Sequence, residues 1–317
     1  MVEFKIGSND CGQRVDKFIT KALPDLPKSM MYRLIRKKDI KINGKRCEVS
    51  TQLSEGDVVR IYVSDSFAAE KKADMSFLSV PAEIDAVYED GNILIVNKPV
   101  GIDSHPGSNY SADTLIDRIR HYLYNKGEYA PDSENSFSPA LCSRLDRNTS
   151  GLVTAAKNAA ALREVNAAIR SGSLRKIYHC VLISRPPKDE DIITAYHFKD
   201  TQHNTVVISD EYRDGYKEIR TGYKVLSERR GLVLAEITLF TGRTHQIRAH
   251  MAHIGCALLG DGKYGNIAVN KRNGVFRQAL CAYALRFELP SDSPLAYLND
   301  KEIHAPRPDF EEQLQLG

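Results

Sequence analysis

Strand-like and helix-like segments follow one another along this 317-residue chain without a regular alternation, and this order constrains the fold more than any other feature. Apolar or alternating runs predict strands at residues 93–96, 151–156, 176–183 and 232–240. Helical patterns with capping signals predict helices at residues 114–124, at residues 158–172 and from Thr244 to Gly255. A doubly wound sheet requires strands and helices in regular alternation, so the sequence favours an α+β fold.

The N-terminal part of the chain has the pattern of a small separate unit. Helical spacing around Phe18 and Leu34 predicts two short helices, the second with Ser29 as its N-cap. The dipeptide Asn43-Gly44 follows an alternating segment and is a strong signal for a β-hairpin. A further strand is predicted at residues 58–63.

Positive charge is concentrated in the same unit. Between Gln13 and Arg60 there are twelve Lys and Arg against six Asp and Glu, a net charge of +6, whereas the whole chain carries +3. The rest of the chain is therefore slightly acidic, at −3. A basic head on an acidic body indicates that the head contacts a polyanion. A solvated lysine-rich surface without such a partner is the alternative interpretation.

These patterns predict three parts: an N-terminal module at residues 1–65, a linker at residues 66–81 and a larger domain at residues 82–317. The linker is predicted from its mixed charge and its lack of periodicity. The apolar content of 42% is enough for a substantial core in a chain of this length.

Composition argues against several classes of protein. The six cysteines lie at least 25 residues apart and form no CxxC pair, which disfavours a zinc site and a disulfide framework. No run of eighteen apolar residues is present, so we expect no membrane span. The first ten residues lack the basic-then-apolar pattern of a secretory signal. We therefore expect a cytoplasmic protein.

Three polar clusters could carry chemistry, and the first lies at residues 142–151 (CSRLDRNTSG). Asp146 stands between Arg144 and Arg147, just before a predicted buried strand, and neighbouring positive charge favours the ionised carboxylate. An ionised carboxylate that is held rigidly can act as a nucleophile or as a base. An ordinary ion pair in a loop is the alternative.

The second cluster, residues 175–178 (RKIY), begins a predicted strand. Tyr178 could stack on a nucleobase while Lys176 contacts a phosphate, or its ring could simply lie in the core. The third cluster comprises residues 241–250 (TGRTHQIRAH) and residues 260–265 (GDGKYG). Its predicted helix start could bind an anion. No acidic residue completes a known metal-ligand spacing with the histidines of this cluster, so we expect no metal site.

Three stretches closely resemble the RluA-type pseudouridine synthases, in that family's order and at about its spacing. They are residues 97–101 (NKPVG) with His105-Pro106, residues 144–151 (RLDRNTSG) and residues 242–248 (GRTHQIR). The N-terminal unit resembles the αL RNA-binding motif of the ribosomal protein S four type, notably at residues 14–18 and 42–44. The resemblance implies a catalytic domain with a mixed, largely antiparallel sheet and a small α/β RNA-binding module before it.

The resemblance also implies roles for individual residues. Asp146 aligns with the family's nucleophile, and Arg248 with the basic residue that pairs with it. Tyr178 aligns with the tyrosine that packs on the target uracil and is a candidate for removing the proton from carbon 5. Arg144 aligns with an arginine that fills the space left by the flipped nucleotide. Ser143 departs from the family pattern, because many relatives have histidine there, and we expect this to affect RNA contacts rather than activity.

Two larger sets of residues are expected to contact the substrate. Those expected at the catalytic pocket are Arg144, Arg147, Lys176, Arg243, His245 and Gln246. Those expected to bind RNA through the module are Arg33, Arg36, Lys37, Lys38, Lys45 and Arg46.

The function implied is isomerisation of uridine to pseudouridine in structured RNA, with the target uracil flipped out of its stack. An isomerisation needs no redox partner, so no cofactor is expected. Family resemblance and the N-terminal module favour large-subunit ribosomal RNA over tRNA as the partner, and we take the chain to be a monomer. An RNA-binding assembly factor with the same fold but no chemistry is the alternative, which the presence of Asp146, Tyr178 and Arg248 disfavours.

Overall fold

The computed structural model describes residues 1–63, 67, 74–107, 113–203 and 205–316. Within these residues the chain forms fifteen strands in two sheets, together with seven α-helices. None of the helices in the described part of the chain is long and apolar enough to cross a lipid bilayer.

The N-terminal unit is a four-stranded antiparallel sheet with two helices. Its elements are β1 (Val2–Lys5), α1 (Val15–Ala22), α2 (Lys28–Lys37), β2 (Ile40–Ile42), β3 (Lys45–Arg46) and β4 (Val58–Ile61), with the strands in the order β1-β4-β2-β3. The predicted hairpin is confirmed, because Asn43 and Gly44 join β2 to β3 with φ angles of 52° and 76°. Positive φ at both turn residues matches the right-handed twist of the strands.

Apolar side chains of both helices form the core of this unit, in which Phe18 and Leu34 are buried against β2 and β4. The predicted cap at Ser29 is wrong, because α2 begins at Lys28 and Ser29 is its second residue. Pro27 precedes the helix in an extended conformation, and its carbonyl accepts the first hydrogen bonds of α2. The strand predicted at residues 58–63 ends two residues earlier than predicted, at Ile61.

The second sheet has eleven strands within the described residues. They are β5 (Ala86–Glu89), β6 (Ile93–Lys98), β7 (Ala140–Leu141), β8 (Ser150–Ala156), β9 (Leu174–Leu182), β10 (Glu190–Asp200), β11 (Thr205–Ser209), β12 (Lys217–Arg229), β13 (Leu232–Leu239), β14 (Leu280–Phe287) and β15 (Glu302–His304). The main order is β11-β10-β12-β13-β9-β14-β8-β6-β5, with β7 paired to β8 and β15 paired to β14. Only the pairing of β8 with β14 is parallel among these described strands, so the mixed, largely antiparallel sheet is confirmed.

Five helices accompany this sheet: α3 (Leu115–Asn125), α4 (Ala159–Ser171), α5 (Gln246–His253), α6 (Ile267–Arg272) and α7 (Asp309–Gln313). The continuous apolar run of β6 is explained by burial of both faces of the strand, because alternate residues belong to different core clusters. Leu94 and Val96 pack with side chains of α3 and α5, whereas Ile93 and Ile95 pack with side chains of α4. A strand buried on both faces needs apolar residues at every position.

The long strands β10 and β12 correspond to no element predicted from the sequence. They run for 11 and 13 residues and, with β11, extend the sheet beyond β13. Their inner face is only partly apolar, because Thr221 and His197 are buried there beside Ile219 and Tyr223. This extension carries α5 on one of its faces.

The segment predicted as a linker lies partly outside the described residues, which exclude residue 66 and residues 68–73. Its last part is ordered by packing: the buried ring of Phe77 lies 5.9 Å from the rings of both Tyr124 and Tyr129. The N-terminal unit also bonds directly to the larger one. The buried carboxylate of Asp10 accepts hydrogen bonds from Ser136 (2.6 Å) and Asn135 (2.7 Å).

Candidate active site

The three clusters noted in the sequence line one open cavity of about 1100 Å³. The first cluster contributes Arg144, Asp146 and Arg147; the second, Lys176 and Tyr178; the third, Arg243, His245 and Arg248. Loops after β7 and β13, the beginning of β9 and helix α5 supply these residues. The fold therefore joins segments that are about a hundred residues apart in the chain.

The backbone on both sides of Asp146 is held by the segment that follows β6. Before Asp146, the Ser104 hydroxyl donates to the Leu145 carbonyl (2.8 Å) and accepts from the Leu145 N–H (3.1 Å). After Asp146, the Arg147 carbonyl accepts from the Gly101 N–H (2.8 Å) and from the Lys98 ammonium (3.2 Å). Bonds on both sides fix the position of the carboxylate without using its oxygen atoms.

Lys98 itself is fully buried, and its ammonium also donates to the carbonyls of Pro99 (2.8 Å) and Ile102 (3.0 Å). Burial lowers its pKa to about 8, although the carboxylates of Asp103 and Asp146 oppose this shift. A buried cation bonded to three carbonyls has a structural role, and here it ties the Asp146 loop to the end of β6.

Gly151, the second residue of β8, lets the chain that leaves the Asp146 loop pass very close to β14. Its φ is +104°, and a Cβ atom there would lie 2.3 Å from the carbonyl oxygen of Ala282. Gly151 pairs with Ala282 at the parallel contact of β8 and β14, so only glycine permits this close approach. The contact fixes the beginning of β8 and, with it, the loop that carries Asp146.

Arg248 bridges two carboxylates. Its Nη1 donates to Oδ2 of Asp146 (2.8 Å), and its Nε and Nη2 donate to the two oxygens of Asp261 (2.7 and 3.0 Å). The expected contact between Arg248 and Asp146 is therefore present. Asp261 also accepts hydrogen bonds from the backbone N–H groups of Lys263 and Tyr264, which leaves it fully bonded.

The two carboxylates differ in exposure. The Asp261 side chain is completely buried, whereas that of Asp146 is 33% exposed and faces the cavity. Burial opposes the charge of Arg248, but the two carboxylates outweigh it and raise the pKa of the guanidinium. Burial likewise raises the pKa of Asp261, but Arg248 outweighs it and the net shift is downward. Asp261 thus anchors the guanidinium, which presents its remaining edge to Asp146.

His245 stands beside Asp146 in a left-handed conformation, with a φ of 51°. Its Nε2 lies 3.7 Å from Oδ2 of Asp146, and its Nδ1 lies 2.9 Å from the Tyr264 hydroxyl, which accepts from the Val206 N–H (3.0 Å). The phenol can therefore donate its own proton to Nδ1, which places the imidazole proton on Nε2, facing Asp146. Burial is the main cause of the lowered pKa of His245, which favours the neutral ring.

Tyr178 and Lys176 lie on the cavity wall formed by β9. The Tyr178 side chain is buried, and burial, followed by the charge of Asp146, raises the pKa of its phenol. Burial lowers the pKa of Lys176 to about 8. A protonated phenol and an easily neutralised amine therefore face the same space as Asp146.

The structure departs from the sequence analysis at two residues of the third cluster. Gln246 does not line the cavity: its Oε1 accepts from the Thr241 hydroxyl and the Arg243 N–H, and its Nε2 donates to the Arg220 carbonyl and the Thr221 hydroxyl. It is buried and positions the loop, and its expected contact with the substrate stays a prediction. Thr244 does not cap the helix, because α5 begins at Gln246 and the residue before it is the left-handed His245.

The histidines of this cluster bond to separate partners. His245 contacts Tyr264, His250 contacts Thr221 at 3.0 Å and His253 contacts Asp210 at 2.8 Å. Within the described part of the chain, no group of three or more His, Cys, Asp or Glu side chains is arranged to hold a metal ion.

Several residues that build the site were not identified from the sequence. Asp261 and Tyr264 lie in residues 260–265, which the sequence analysis included in the third cluster without giving either residue a role. Lys98 lies in a stretch quoted for its family resemblance and received no role. The signal for Asp261 was its place between Gly260 and Gly262, because a carboxylate in such a turn can reach backbone N–H groups.

The six cations expected to bind RNA all lie exposed on the N-terminal unit, at the end of α2 and around the β2–β3 hairpin. They are Arg33, Arg36, Lys37, Lys38, Lys45 and Arg46. None of the six forms an ion pair with another residue that the structure describes. This placement leaves them accessible to an external anion, and their role in RNA binding stays a prediction.

Comparisons with known proteins agree with this architecture. Residues 92–253 match the RNA pseudouridylate synthase family, and residues 13–59 match the S4 domain. The chain is 31% identical to a "Ribosomal large subunit pseudouridine synthase C" of Vibrio parahaemolyticus, over 98% of this chain and 95% of that protein. It is 33% identical to an "Uncharacterized RNA pseudouridine synthase" of Mycoplasma capricolum, over 96% and 97%. The structure of "Human RNA Pseudouridylate Synthase Domain Containing 4" shares the fold, with a TM-score of 0.58, 20% identity and coverage of 74% and 94%.

Proposed function

The chain belongs to the RNA pseudouridylate synthase family, and from this premise we propose that it isomerises uridine in large-subunit ribosomal RNA with Asp146 as the nucleophile. The enzyme class follows from the family: these synthases are isomerases. The residue roles, the flipped-out uracil and the choice of ribosomal RNA are the proposal.

The main support is the setting of Asp146. Its backbone is fixed on both sides, one of its oxygens accepts a hydrogen bond from Arg248, and its carboxylate faces the cavity. Arg248 cannot turn away, because Asp261 holds two of its nitrogens. A carboxylate that is fixed in place, bonded to a guanidinium and pointed at an open cavity is the arrangement that nucleophilic catalysis requires.

The chemistry balances without a co-reactant. The bond between ribose C1′ and uracil N1 breaks, the uracil turns, and a bond forms between C1′ and C5. The proton lost from C5 is matched by the proton gained at N1. The protein must therefore hold the detached uracil in place, and the cavity wall formed by β9 side chains suits that task.

Tyr178 is proposed to pack against the uracil ring. Its raised pKa keeps the phenol protonated, which favours packing over removal of the C5 proton. Replacing Tyr178 with Phe retains the ring and removes the hydroxyl, so that variant separates the two roles. Arg144 and Arg147 are exposed at the mouth of the cavity, where Arg144 could occupy the space left by a flipped nucleotide.

The N-terminal module is proposed to anchor the RNA. We retain the division into a module at residues 1–65, a linker at residues 66–81 and a catalytic domain at residues 82–317. The exposed cations of α2 and of the β2–β3 hairpin can neutralise phosphates, which supplies affinity without base specificity. The preference for large-subunit ribosomal RNA rests on the names of the relatives.

Asp146→Asn tests the proposal. The amide keeps the shape of the side chain but cannot act as the nucleophile, so we expect conversion of an in vitro transcript of large-subunit ribosomal RNA to fall by more than about a thousandfold. The Kd for that RNA should stay within a few-fold. The matched control is Asp292→Asn, an exposed residue remote from the cavity, which should convert RNA at the normal rate. Turnover near that of the wild type in Asp146→Asn would exclude this nucleophile.

A further inference from the structure

The sheet extension formed by β10, β11, β12 and β13 has one face that carries large apolar side chains in solvent. Phe198, Tyr212 and Phe240 lie on it with Ile192 and Val207, and each of these five side chains is between 39% and 64% exposed. The strand register places them on one side, because Phe198 pairs with Val207, and Ile192 pairs with Gly222, on which the Phe240 ring lies. We call this set, with Tyr196 and Tyr216, the aromatic face.

The opposite face of the same strands is buried and mixed in character, with apolar Ile219 and Tyr223 beside polar Thr221, and α5 covers part of it. The Thr221 hydroxyl bonds to Gln246 and to His250, and His197 Nε2 lies 2.9 Å from the Thr244 carbonyl. These strands therefore bury apolar side chains on their inner face as an ordinary sheet does, and the exposed apolar side chains of the aromatic face are additional to that core. A cluster of exposed aromatic residues on a folded protein commonly marks a binding surface.

The rings of the aromatic face are already arranged in pairs on which a planar base can stack. The rings of Phe198 and Tyr216 are stacked, 5.1 Å apart and inclined by 23°, and the ring of Tyr212 meets that of Tyr196 edge-on at 5.6 Å. Towards the catalytic cavity, the guanidinium of Arg220 lies 5.2 Å above the ring of Phe240. Preformed ring pairs lose little freedom when another ring stacks on them.

The face is continuous with the cavity. Phe240 belongs to both, because it follows β13 and also lines the space in front of Asp146. Tyr216 directly precedes β12 and lies four residues from Arg220 along the chain, about 14 Å if the chain is extended at the usual rise per residue. An RNA strand that enters the cavity could therefore place several neighbouring nucleotides on this surface.

We propose that the aromatic face binds unpaired bases of the substrate RNA next to the target uridine, by stacking. This rests on the proposed function, because it takes the cavity as the uracil site. Sheets that present aromatic side chains are a common way of binding single-stranded RNA, and arginine adds to such stacking. Glu218 lies between the aromatic pairs, so this surface suits bases rather than a closely tracked phosphate backbone.

The chain contains no tryptophan, so one introduced tryptophan reports on its own surroundings. Phe198→Trp places it on the aromatic face, and Phe276→Trp places a control on an exposed loop position outside that face. The probe is a single-stranded RNA of about 12 nucleotides, within the range that one such surface binds. A ribose-phosphate oligomer of the same length without bases is the second probe.

We expect the RNA to quench the fluorescence of Phe198→Trp, and the abasic oligomer to leave it unchanged. Phe276→Trp should respond to neither probe. RNA that binds Phe198→Trp, as judged by fluorescence anisotropy of a labelled strand, but leaves the tryptophan emission unchanged would overturn the proposal.

Affinity gives a second test that does not depend on the reporter. The double variant Phe198→Ala/Tyr216→Ala should bind a substrate hairpin with unpaired flanking nucleotides about tenfold more weakly, the loss expected for a stacked base. The loss should vanish when the flanking bases are absent. Phe198→Leu keeps an apolar side chain but not the ring, so full affinity in that variant would contradict stacking.

A second copy of the chain is the competing occupant. Sedimentation that shows a dimer dissociated by Phe198→Ala would overturn the proposal in favour of self-association. The proposed function fails separately: quenching in Phe198→Trp together with no conversion of RNA by the wild type would leave the aromatic face as an RNA-binding surface and reject the proposed isomerisation of that RNA.

Discussion

The molecule carries positive charge in two regions that are built in opposite ways. Arg248 is buried and uses its guanidinium to bond to two carboxylates, whereas Arg36 and Lys37 on α2 are exposed and pair with no residue that the structure describes. A buried, fully bonded cation has one orientation and depends on its partners. Exposed cations can adapt to an irregular polyanion, and each contributes little structure.

This difference predicts which properties a substitution in each region should change. In the cavity, the charged groups hold one another in place, so a single replacement should affect stability, geometry and chemistry together. On the N-terminal module, a replacement should affect only the binding of RNA. The comparison can be tested from both sides by measuring turnover, unfolding and salt dependence on matched variants.

The largest effect is expected for Arg248→Met. Removing the guanidinium leaves Asp261 buried without its partner, which should lower the free energy of unfolding by about 3–5 kcal/mol. Turnover should fall by at least about a hundredfold, because Asp146 loses the group that orients it. Arg248→Lys should be milder in both respects, since the charge remains but the two-pronged contact with Asp261 does not. Urea unfolding and single-turnover conversion measure the two effects.

Arg286→Met is the control for burial. Arg286 pairs with Glu302 at 2.8 Å, like the Arg248–Asp146 pair, but both members of this pair are more than a third exposed. Its loss should change the free energy of unfolding by no more than about 1 kcal/mol. Equal destabilisation by Arg286→Met and Arg248→Met would remove the basis for contrasting buried with exposed charge.

A change of pH should have a smaller effect on the free energy of unfolding, and part of it should come from buried His250. His250 is buried on α5 and its pKa is lowered to about 4, chiefly by burial and further by His253. In the unfolded chain His250 binds a proton as the pH falls below about 6.5, whereas in the folded chain it stays neutral until about pH 4. The free energy of unfolding therefore decreases as the pH is lowered through this range. The loss is on the order of 3 kcal/mol at its full extent.

His250→Gln should therefore flatten the dependence of the unfolding free energy on pH between about 6.5 and 4. His304→Gln serves as the control, because that imidazole is 45% exposed. The measurement is urea unfolding of the three proteins at several pH values. A pH dependence in His250→Gln as steep as in the wild type would assign the acid sensitivity to other groups.

The sequence predicted much of the fold where local patterns agree with tertiary packing. The helix at residues 114–124 and the hairpin at Asn43-Gly44 are confirmed, because capping and turn chemistry act locally. Strands β10 and β12 were missed because apolar and aromatic residues lie on both of their faces: Ile219 and Tyr223 are buried, whereas Ile192 and Phe198 are exposed. Such strands show no clean alternation of apolar and polar residues, so their buried face cannot be recognised from the pattern alone.

The candidate site was predictable to a different degree. Asp146 and Arg248 were placed together by family resemblance, not by spacing, since 102 residues separate them. Asp261 was missed because its role is to hold the guanidinium of Arg248, a contact that no pattern in the sequence indicates. Gln246 was expected to contact the substrate because it lies in a motif rich in polar residues. In the folded chain its side chain forms hydrogen bonds with the backbone of Arg220 and Arg243 instead of facing the cavity. Only the folded chain distinguishes these uses.

The smallest effect is expected on the exposed side of the comparison, for Arg36→Ala/Lys37→Ala. Each of these cations can release one counterion when it binds a phosphate, so the slope of log affinity against log salt should become shallower by about 1 for each phosphate that is no longer neutralised. The Kd for RNA should rise by about tenfold at moderate salt, whereas single-turnover conversion of saturating RNA and the free energy of unfolding should not change. Lys271→Ala/Arg272→Ala is a matched control, because these residues form an exposed basic pair at the end of another helix, α6. If α2 anchors the RNA, the two double variants must differ in salt slope although they remove the same charge. Identical slopes would mean that α2 contributes only general positive charge, and the N-terminal module would lose its proposed role as the anchor.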